Sequence, residues 1–401
     1  MQTPVVKKLL ESGKSINLAS PIDIVSRAKA VAALIDSESD AIEAAGTLTP
    51  KIVEALSKGE FFWMLVPKEL NGGGVSLPTA IEVIEELSRA DGSTGWAVMA
   101  TSVATSYAAG WCGDAAVTEM FLGADRAIVA GMPAPVGRAQ QLENGYRGGG
   151  KYKFGSGSGF ATWIAAGVAI YEDGAPKLQA NGEPATVTFF LPKEKVEVNG
   201  NWDVFGLQGT GSYDYEVKEQ FVRSDFAVNV RSLEPLRGKP LYLVGGLTLN
   251  SACHAAFAMG VSRRALQELV ANVATKTRAG YSSSISNFQV FRHEFARHEA
   301  MYQSARAYLL KVYRDLQATV DNGDLTTLEQ RTRCAQANLW VHAVAADVVR
   351  LCHVWSGSIG LRNPSKIGRC MRDIYTATNH LVVDPVKWQD VFQPIFDSWA
   401  T

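Results

Sequence analysis

Two short glycine-rich segments carry hydroxyl side chains that could contact a ligand. One holds Phe154, Gly155, Ser156 and Gly157, and the other is residues 209–214, with the sequence Gly-Thr-Gly-Ser-Tyr-Asp. Glycine lets backbone N–H groups approach a planar ring or a phosphate closely, and a hydroxyl can donate or accept a hydrogen bond. The same residue types are also typical of ordinary tight turns between strands. The two segments therefore indicate a ligand site only when another feature supports it.

Histidines and cysteines are the other candidates for chemistry. His293 and His298 are five positions apart, which does not place them on one helix face as the zinc-binding HExxH motif does. His254 follows Cys253 on an apolar stretch, where a buried histidine is favoured over a nucleophilic pair, although it can still border a pocket. The five cysteines include no CxxC pair. We therefore expect no metal site, no disulfide framework and a reducing, cytoplasmic compartment.

Charge and composition narrow the class of partner. The 401 residues carry 39 basic and 40 acidic side chains, a formal net charge of -1, so no long-range field attracts nucleic acid or an anionic membrane. Residues 1–18 lack the apolar segment of a secretory signal. The longest apolar stretch, residues 241–261, is interrupted by Asn250, Ser251 and His254. We expect a small-molecule or protein partner, and neither export nor a membrane span.

The elements that must position these residues begin as helices. Ser20 and Pro21 are a predicted N-cap and first helical position. A short helix is predicted from Pro50 to Gly59, where a positive φ is easily accommodated. The first third of the chain is therefore predicted to be helical.

After the first third of the chain, the residue pattern changes twice. β-Branched runs separated by glycine, asparagine and proline predict strands from about residue 127 to 227. Helical periodicity then predicts an antiparallel bundle from residues 246–275, 287–320 and 328–355. Segregated runs indicate an α+β fold rather than alternating α/β. We predict an N-terminal α-helical domain (1–126), a middle β-domain of barrel or sandwich type (127–235) and a C-terminal four-helix bundle (236–401).

Four motifs in this order resemble those of the acyl-CoA dehydrogenase superfamily. They are residues 90–96, 153–157 and 209–214, and the segment 369–373 followed by His380. Within that superfamily the chain resembles the branch of two-component flavin monooxygenases, such as hydroxyphenylacetate hydroxylase and dibenzothiophene monooxygenase. The resemblance implies the three-part acyl-CoA dehydrogenase architecture and a flavin, either reduced FMN or reduced FAD.

The resemblance also implies the site residues. It places the Ser156 hydroxyl opposite flavin N5 and His380 at the end of the segment that closes the active site. The remaining cofactor contacts that it implies are Trp96, Phe154, Gly155, Gly157, Thr210, Ser212, Arg372 and Asp373. The substrate pocket would include Trp111, His254 and Trp355, and an aromatic lining suits an aromatic substrate.

The residues available as a base distinguish two reactions. Acyl-CoA dehydrogenases remove an α-proton with a glutamate, which in the common version lies eight positions beyond the aspartate of the RD motif; here that residue is Leu381. The alternative position is in the first bundle helix, and residues 241–266 contain no acid. His380 instead matches the histidine of the monooxygenases, where an imidazole can accept a proton from the substrate or hydrogen-bond the distal oxygen of a flavin hydroperoxide. Asp384 is a rival base only if the segment continues as a helix.

We therefore expect a flavin-dependent monooxygenase that uses reduced flavin and O2 to oxygenate a small, aromatic substrate. An absent NAD fingerprint agrees with a separate NAD(P)H-flavin reductase, and the resemblance implies a homotetramer, with a dimer as the alternative. Two other functions stay open: an acyl-CoA dehydrogenase with a displaced base, and a non-catalytic flavin-binding member.

Overall fold

The computed structural model describes residues 23–400, so the cap predicted at Ser20 and Pro21 lies outside the described residues. The N-terminal helices are α1 (Ile24–Ala45), α2 (Pro50–Lys58), α3 (Leu77–Ala90), α4 (Gly92–Trp111) and α5 (Asp114–Phe121). The Asp23 carboxylate accepts a hydrogen bond from Val25 N (3.3 Å) and caps α1. The expected positive φ at Gly59 is wrong. Gly59 has φ -75° and Glu60 has φ 66°, because the turn that leaves α2 is completed one residue later.

Helix α4 runs through the centre of the molecule. Asp91 ends α3 and caps α4, since its carboxylate accepts from both Thr94 N (2.7 Å) and Thr94 Oγ1 (2.8 Å). All residues of α4 but Ala100 are buried, which is expected of a helix that is apolar on every face. Its first turn therefore presents Trp96 to the interior.

The middle domain is one mixed eight-stranded sheet with the order β6-β7-β2-β1-β3-β5-β8, and β4 pairs with β3. The strands are β1 (Val129–Leu142), β2 (Gly145–Gly155), β3 (Trp163–Glu172), β4 (Ala175–Pro176), β5 (Thr186–Pro192), β6 (Glu197–Val198), β7 (Tyr213–Arg223) and β8 (Ala227–Val228). The β1–β3 pair is parallel and the other pairs are antiparallel. Both glycine-rich segments lie at the same end of the β2–β7 pair, where Gly155 lies opposite Tyr213.

The C-terminal domain is helical. It contains α6 (Gly246–Val273), α7 (Gln289–Asp321), α8 (Leu328–Ser356), α9 (Lys366–Ala377) and α10 (Lys387–Asp397). Thr327 and Gln330 form a capping box at the start of α8. Helix α6 packs on α8 and α9 of its own domain and on α3 and α4 of the first. The predicted α+β architecture of helices, sheet and helices is confirmed.

Buried polar contacts connect the two helical domains. The Glu85 carboxylate on α3 is 2% exposed and lies 2.9 Å from Arg306 Nε on α7 through both of its oxygens. Arg264 on α6 pairs with Asp36 on α1 (2.6 Å). These contacts hold α4 between the sheet and α6. In the described part of the chain, no helix is long and apolar enough to cross a membrane.

Candidate active site

The chain turns sharply at the end of β2 and presents Ser156. Phe154 has φ 63° and Gly157 has φ 84°, a left-handed conformation that a non-glycine residue adopts only at a cost in free energy. Gly157 N donates to Thr210 O (3.0 Å), which joins the first glycine-rich segment to the second. A Cβ at Gly157 would lie 2.4 Å from Thr101 Cγ2 on α4. Glycine is therefore required here for both backbone conformation and close packing.

A line of hydroxyl groups fixes the Ser156 side chain. Thr210 Oγ1 lies 2.7 Å from Ser212 Oγ, and Ser212 Oγ lies 2.8 Å from Ser156 Oγ. Trp96 Nε1 of α4 donates to the same Ser156 oxygen (3.0 Å). Because Thr210 donates its one hydrogen to Leu207 O, the hydrogens of Ser212 and Ser156 serve the two contacts between hydroxyl groups, and Ser156 Oγ keeps one lone pair for a ligand. The side chain is partly exposed, so a ligand can reach it.

Asp373 acts on the backbone that carries this line. Its carboxylate accepts from Leu207 N (2.7 Å), and Leu207 has φ 57°. Leu207 O in turn accepts from Thr210 Oγ1 (2.8 Å). Burial, with a smaller contribution from the nearby Asp91, raises the pKa of Asp373 to about 7. Asp373 therefore lies behind the second glycine-rich segment, as a support for the turn.

Arg372, also expected at the cofactor, has protein partners instead. Its guanidinium pairs with Glu43 of α1 and donates to Asn363 Oδ1 (2.9 Å). Both partners lie within this chain, so the described contacts of Arg372 are structural.

Three imidazoles meet beside Trp96 and form what we call the histidine cluster: His254 on α6, His342 on α8 and His380 after α9. The ring centroids of His254 and His380 are 4.4 Å apart, and those of His254 and His342 are 6.5 Å apart. The Trp96 ring lies 4.9 Å from His254 and 5.6 Å from His380, both edge-on. Through Trp96 the cluster is continuous with Ser156.

Local hydrogen bonding assigns the His380 tautomer. Val382 N donates to His380 Nδ1 (3.3 Å), so this nitrogen carries a lone pair and the ring hydrogen of the neutral form is on Nε2. Burial lowers the pKa of His380 to about 4. At neutral pH the residue is therefore an uncharged Nε2–H donor.

The other two histidines are neutral for the same reason. Burial, and then the neighbouring His380 and His342, hold the pKa of His254 well below its usual value. The pKa of His342 is lowered to about 4 by burial. Among residues 23–400, no carboxylate pairs with any of the three rings. The cluster is thus an uncharged set of donors and acceptors.

An exposed aromatic side chain lies next to Ser156 in the chain. Phe154 is 61% exposed, and Phe205, in the loop that also holds Trp202, is 63% exposed. The Trp202 ring lies edge-on to Phe154 at 6.3 Å, and Trp202 Nε1 donates to Leu207 O (2.9 Å). An exposed aromatic surface beside an available hydroxyl lone pair fits a planar heteroaromatic ring with polar atoms on its edge, as in a flavin. Trp202 and Phe205 were not predicted, since no periodicity or motif marks that loop.

Two predicted pocket residues lie elsewhere. Trp111 is at the far end of α4, about 22 Å from Trp96 at 1.5 Å per residue, and donates to Ser232 O (3.0 Å). Trp355 is about 20 Å along α8 from His342 by the same rise, and donates to Glu294 Oε2 (2.7 Å). The structure does not bring either tryptophan to the histidine cluster.

Asp384 does not meet the condition set for a rival base. Helix α9 ends at Ala377, and Asp384 follows a 3-10 turn at Leu381–Val383. Its carboxylate accepts from Val386 N (2.8 Å). The segment is therefore not one continuous helix, and Asp384 stabilises the start of the next element.

His342 is the member of the cluster that sequence reasoning missed. It is 2% exposed, and its sequence neighbours Val341 and Val344 are apolar. A histidine on an apolar helix was the only available signal, and such a residue is usually a satisfied core side chain. In the structure, the packing of α8 on α6 brings His342 into the histidine cluster.

Comparison with known domain families identifies both ends of the chain. Residues 26–124 match the acyl-CoA dehydrogenase N-terminal domain and residues 252–385 match the acyl-CoA dehydrogenase C-terminal domain. Among curated proteins, indole-3-acetate monooxygenase of Pseudomonas putida is 25% identical over 379 residues, covering 93% of this chain and 94% of that protein. The flavin-dependent monooxygenase oxygenase subunit HsaA of Rhodococcus jostii is 23% identical over 84% of this chain and 88% of its own length.

Solved structures show the same fold. XiaF from Streptomyces sp., in complex with FADH2 and glycerol, superposes with a TM-score of 0.84 at 18% identity, covering 98% of this chain and 96% of that one. TdsC from Paenibacillus sp. A11-2, in complex with FMN and indole, gives a TM-score of 0.78 at 21% identity, covering 94% and 97%. The protein is thus an acyl-CoA dehydrogenase-fold protein related to the oxygenase components of two-component flavin-dependent monooxygenases.

Proposed function

We propose that the protein is the oxygenase component of a two-component monooxygenase, which takes reduced flavin from a separate NAD(P)H-flavin reductase and oxygenates an aromatic substrate. The observation that carries this proposal is the line from Thr210 through Ser212 to Ser156, which leaves one lone pair of the Ser156 hydroxyl available beside exposed Phe154. A neutral histidine cluster adjoins it through Trp96.

The chain's residues fit a flavin at this place. Ser156 would accept a hydrogen bond from the ring edge, Phe154 and Trp202 would contact the ring face, and the turn at Gly157 brings backbone close to the ligand. Bound reduced flavin supplies the reaction with O2, which no side chain of this protein can replace. XiaF was solved with FADH2 and TdsC with FMN, so the proposal covers either reduced flavin.

The protein side of the chemistry is to orient and to exclude water. His380 presents Nε2–H, and Trp96 separates it from Ser156. A buried donor with no competing charge is stronger than the same donor in water, since the local dielectric is low. The dehydrogenase glutamate position is Leu381, which is 67% exposed. An exposed leucine has no group that could remove an α-proton, which favours the oxygenase over a dehydrogenase.

Rapid mixing tests this function. Reduced FMN or FAD is bound anaerobically and mixed with O2 while flavin absorbance is followed, with and without indole or a phenol. We expect a transient absorbing species before oxidised flavin, and incorporation of one atom of 18O2 into product. Bleaching of oxidised flavin by an acyl-CoA under anaerobic conditions would instead identify a dehydrogenase. Binding without turnover by either route would identify a non-catalytic flavin-binding protein.

The proposal includes a homotetramer, with a dimer as the smaller alternative. On α10, Trp388, Phe392 and Phe396 recur every four residues on one face and are exposed, as is Trp399 beyond the helix. Such an aromatic stripe is typical of a surface that another copy covers. Light scattering should give a tetramer mass, and Phe392→Ser with Phe396→Ser should reduce it. An unchanged mass in the double variant would remove α10 from the interface.

A further inference from the structure

One ring nitrogen of His342 contacts a described residue by a hydrogen bond and the other does not. His342 Nδ1 lies 3.0 Å from Asn338 O, one turn earlier in α8. A carbonyl oxygen only accepts hydrogen bonds, so Nδ1 carries the ring hydrogen and Nε2 of the neutral ring carries a lone pair. Burial lowers the pKa of His342 to about 4, so the ring stays neutral at physiological pH. His342 Nε2 is therefore an acceptor.

That acceptor has no partner among residues 23–400. His342 Nε2 and His254 Nδ1 are both sealed from solvent and neither makes a hydrogen bond to a described residue. The side chains themselves are 2% and 3% exposed. Buried polar atoms without a partner are rare because each forfeits its hydrogen bond to water. Of the eleven such side-chain atoms in residues 23–400, two lie in this one cluster, which favours a group from outside the chain as their partner.

The surroundings restrict what that group can be. Trp96 lies edge-on to both His254 (4.9 Å) and Phe257 (5.0 Å), so the cluster has aromatic walls. His380 is its least buried member and is followed by exposed Leu381. A neutral lone pair between aromatic walls suits an aromatic ring that bears an N–H or O–H group.

We propose that His342 is a specificity-determining residue, whose Nε2 accepts a hydrogen bond from an N–H or O–H group of the substrate, with His254 as its neighbour in the same subsite. This inference rests on the proposed function for the existence of a substrate. It adds the requirement that the substrate carries a donor, which an aromatic thioether or a hydrocarbon lacks.

Matched ligand pairs test the subsite without turnover. Indole and 1-methylindole differ in one N–H, and phenol and anisole differ in one O–H. Equilibrium binding to the full-length protein, with flavin oxidised and no reductase, should favour each donor compound by about tenfold or more in the wild type. His342→Leu should abolish the preference. His342→Gln, which can present an amide oxygen near the position of Nε2, should keep part of it.

The control is His353→Leu on the same helix. His353 is partly exposed and its Nε2 faces Gly360 O at 3.4 Å, well away from the cluster. This variant should keep the wild-type preference. Thermal melting of every variant separates a lost subsite from a lost fold, and the glutamine variant preserves the test should the leucine variant unfold.

The outcomes are distinct. A preference that survives in His342→Leu, or a wild type that binds both members of each pair equally or not at all, overturns the inference and leaves a buried water as the partner of Nε2. A preference that is lost in His342→Leu while the wild type never yields oxygenated product supports the subsite and refutes the oxygenase function.

Discussion

Replacing His380 by asparagine and by glutamine separates a proton acceptor from a hydrogen-bond donor. Asparagine places an oxygen near Nδ1 and preserves the acceptor for Val382 N, but removes Nε2–H. Glutamine places an amide N–H₂ near Nε2 and preserves the donor. Because Val382 N occupies Nδ1 at 3.3 Å, the structure predicts that the donor is what the reaction uses.

The size of the activity loss expected in the His380 variants follows from the pKa of His380. With the pKa of His380 lowered to about 4 by burial, about one ring in a thousand is charged at pH 7, and the ring is a weak base. A lost hydrogen bond to a developing charge costs about 1.5–3 kcal/mol, or roughly ten- to a hundredfold. Loss of a general base would cost about 10² to 10⁴. We expect the smaller loss in His380→Asn, and recovery to within a few fold of wild type in His380→Gln.

The assay is the coupling of flavin oxidation to product. Reduced flavin complex is mixed with O2 and substrate, and product and released hydrogen peroxide are both quantified between pH 6 and 8. His380→Asn should divert flavin oxidation towards hydrogen peroxide. In the wild type, titration of His380 should cause no change in product yield over this pH range. His298→Asn on α7 is the matched control, since that ring lies outside the cluster and its Nδ1 donates to Glu294 O (2.7 Å).

Two results would refute this reasoning. One is a wild-type yield that rises with a midpoint near pH 6 to 7 and loses that midpoint in His380→Asn, which would make the imidazole a base. The other is a glutamine variant as inactive as the asparagine variant, since an N–H donor near the position of Nε2 would then not restore activity. Wild-type activity in both folded variants would make His380 structural.

Three further predictions concern the same region. Ser156→Ala should weaken reduced-flavin binding about fivefold, the equivalent of ~1 kcal/mol, in a titration where exposed Ser304→Ala on α7 serves as control; equal affinity would remove Ser156 from the site. Asp373→Asn keeps an acceptor for Leu207 N without a charge. Because the pKa of Asp373 is raised from 3.8 to about 7, its contribution to stability is fully present below pH 3.8 and is lost as pH rises through 7. The variant should therefore gain stability relative to wild type between pH 5 and 8, by at most about 4 kcal/mol, and a pH-independent difference in melting temperature would contradict the raised pKa. His342 has a lowered pKa, from 6.5 to about 4, so its contribution is present above pH 6.5 and is lost as pH falls through 4; His342→Gln should lose less stability than wild type between pH 7 and 4, and parallel denaturant midpoints would argue against a buried neutral ring.

Local sequence signals predicted the helices well where a single packed face or a single capping residue determines the helix. The helices predicted at residues 246–275, 287–320 and 328–355 are observed as Gly246–Val273, Gln289–Asp321 and Leu328–Ser356, because helical periodicity reflects packing of a single stripe. The α+β order followed from the same signals. The mixed sheet did not, since the parallel β1–β3 pair joins strands that no local pattern connects.

The candidate site shows the same difference between features set by neighbouring residues and features set by contacts between distant segments. Glycine segments and the motif around Asp373 and His380 are short enough for sequence to identify, because each depends on residues a few positions apart. The meeting of His254, His342 and His380 depends on how α6, α8 and the end of α9 pack around Trp96. The sequence by itself determined the family, the architecture and the absence of the dehydrogenase glutamate, whose position is Leu381, next to His380. Only the tertiary structure decided that His342 belongs to the cluster, that Trp111 and Trp355 do not, and which nitrogen of each ring is free, since burial and hydrogen-bond partners arise from contacts between distant segments.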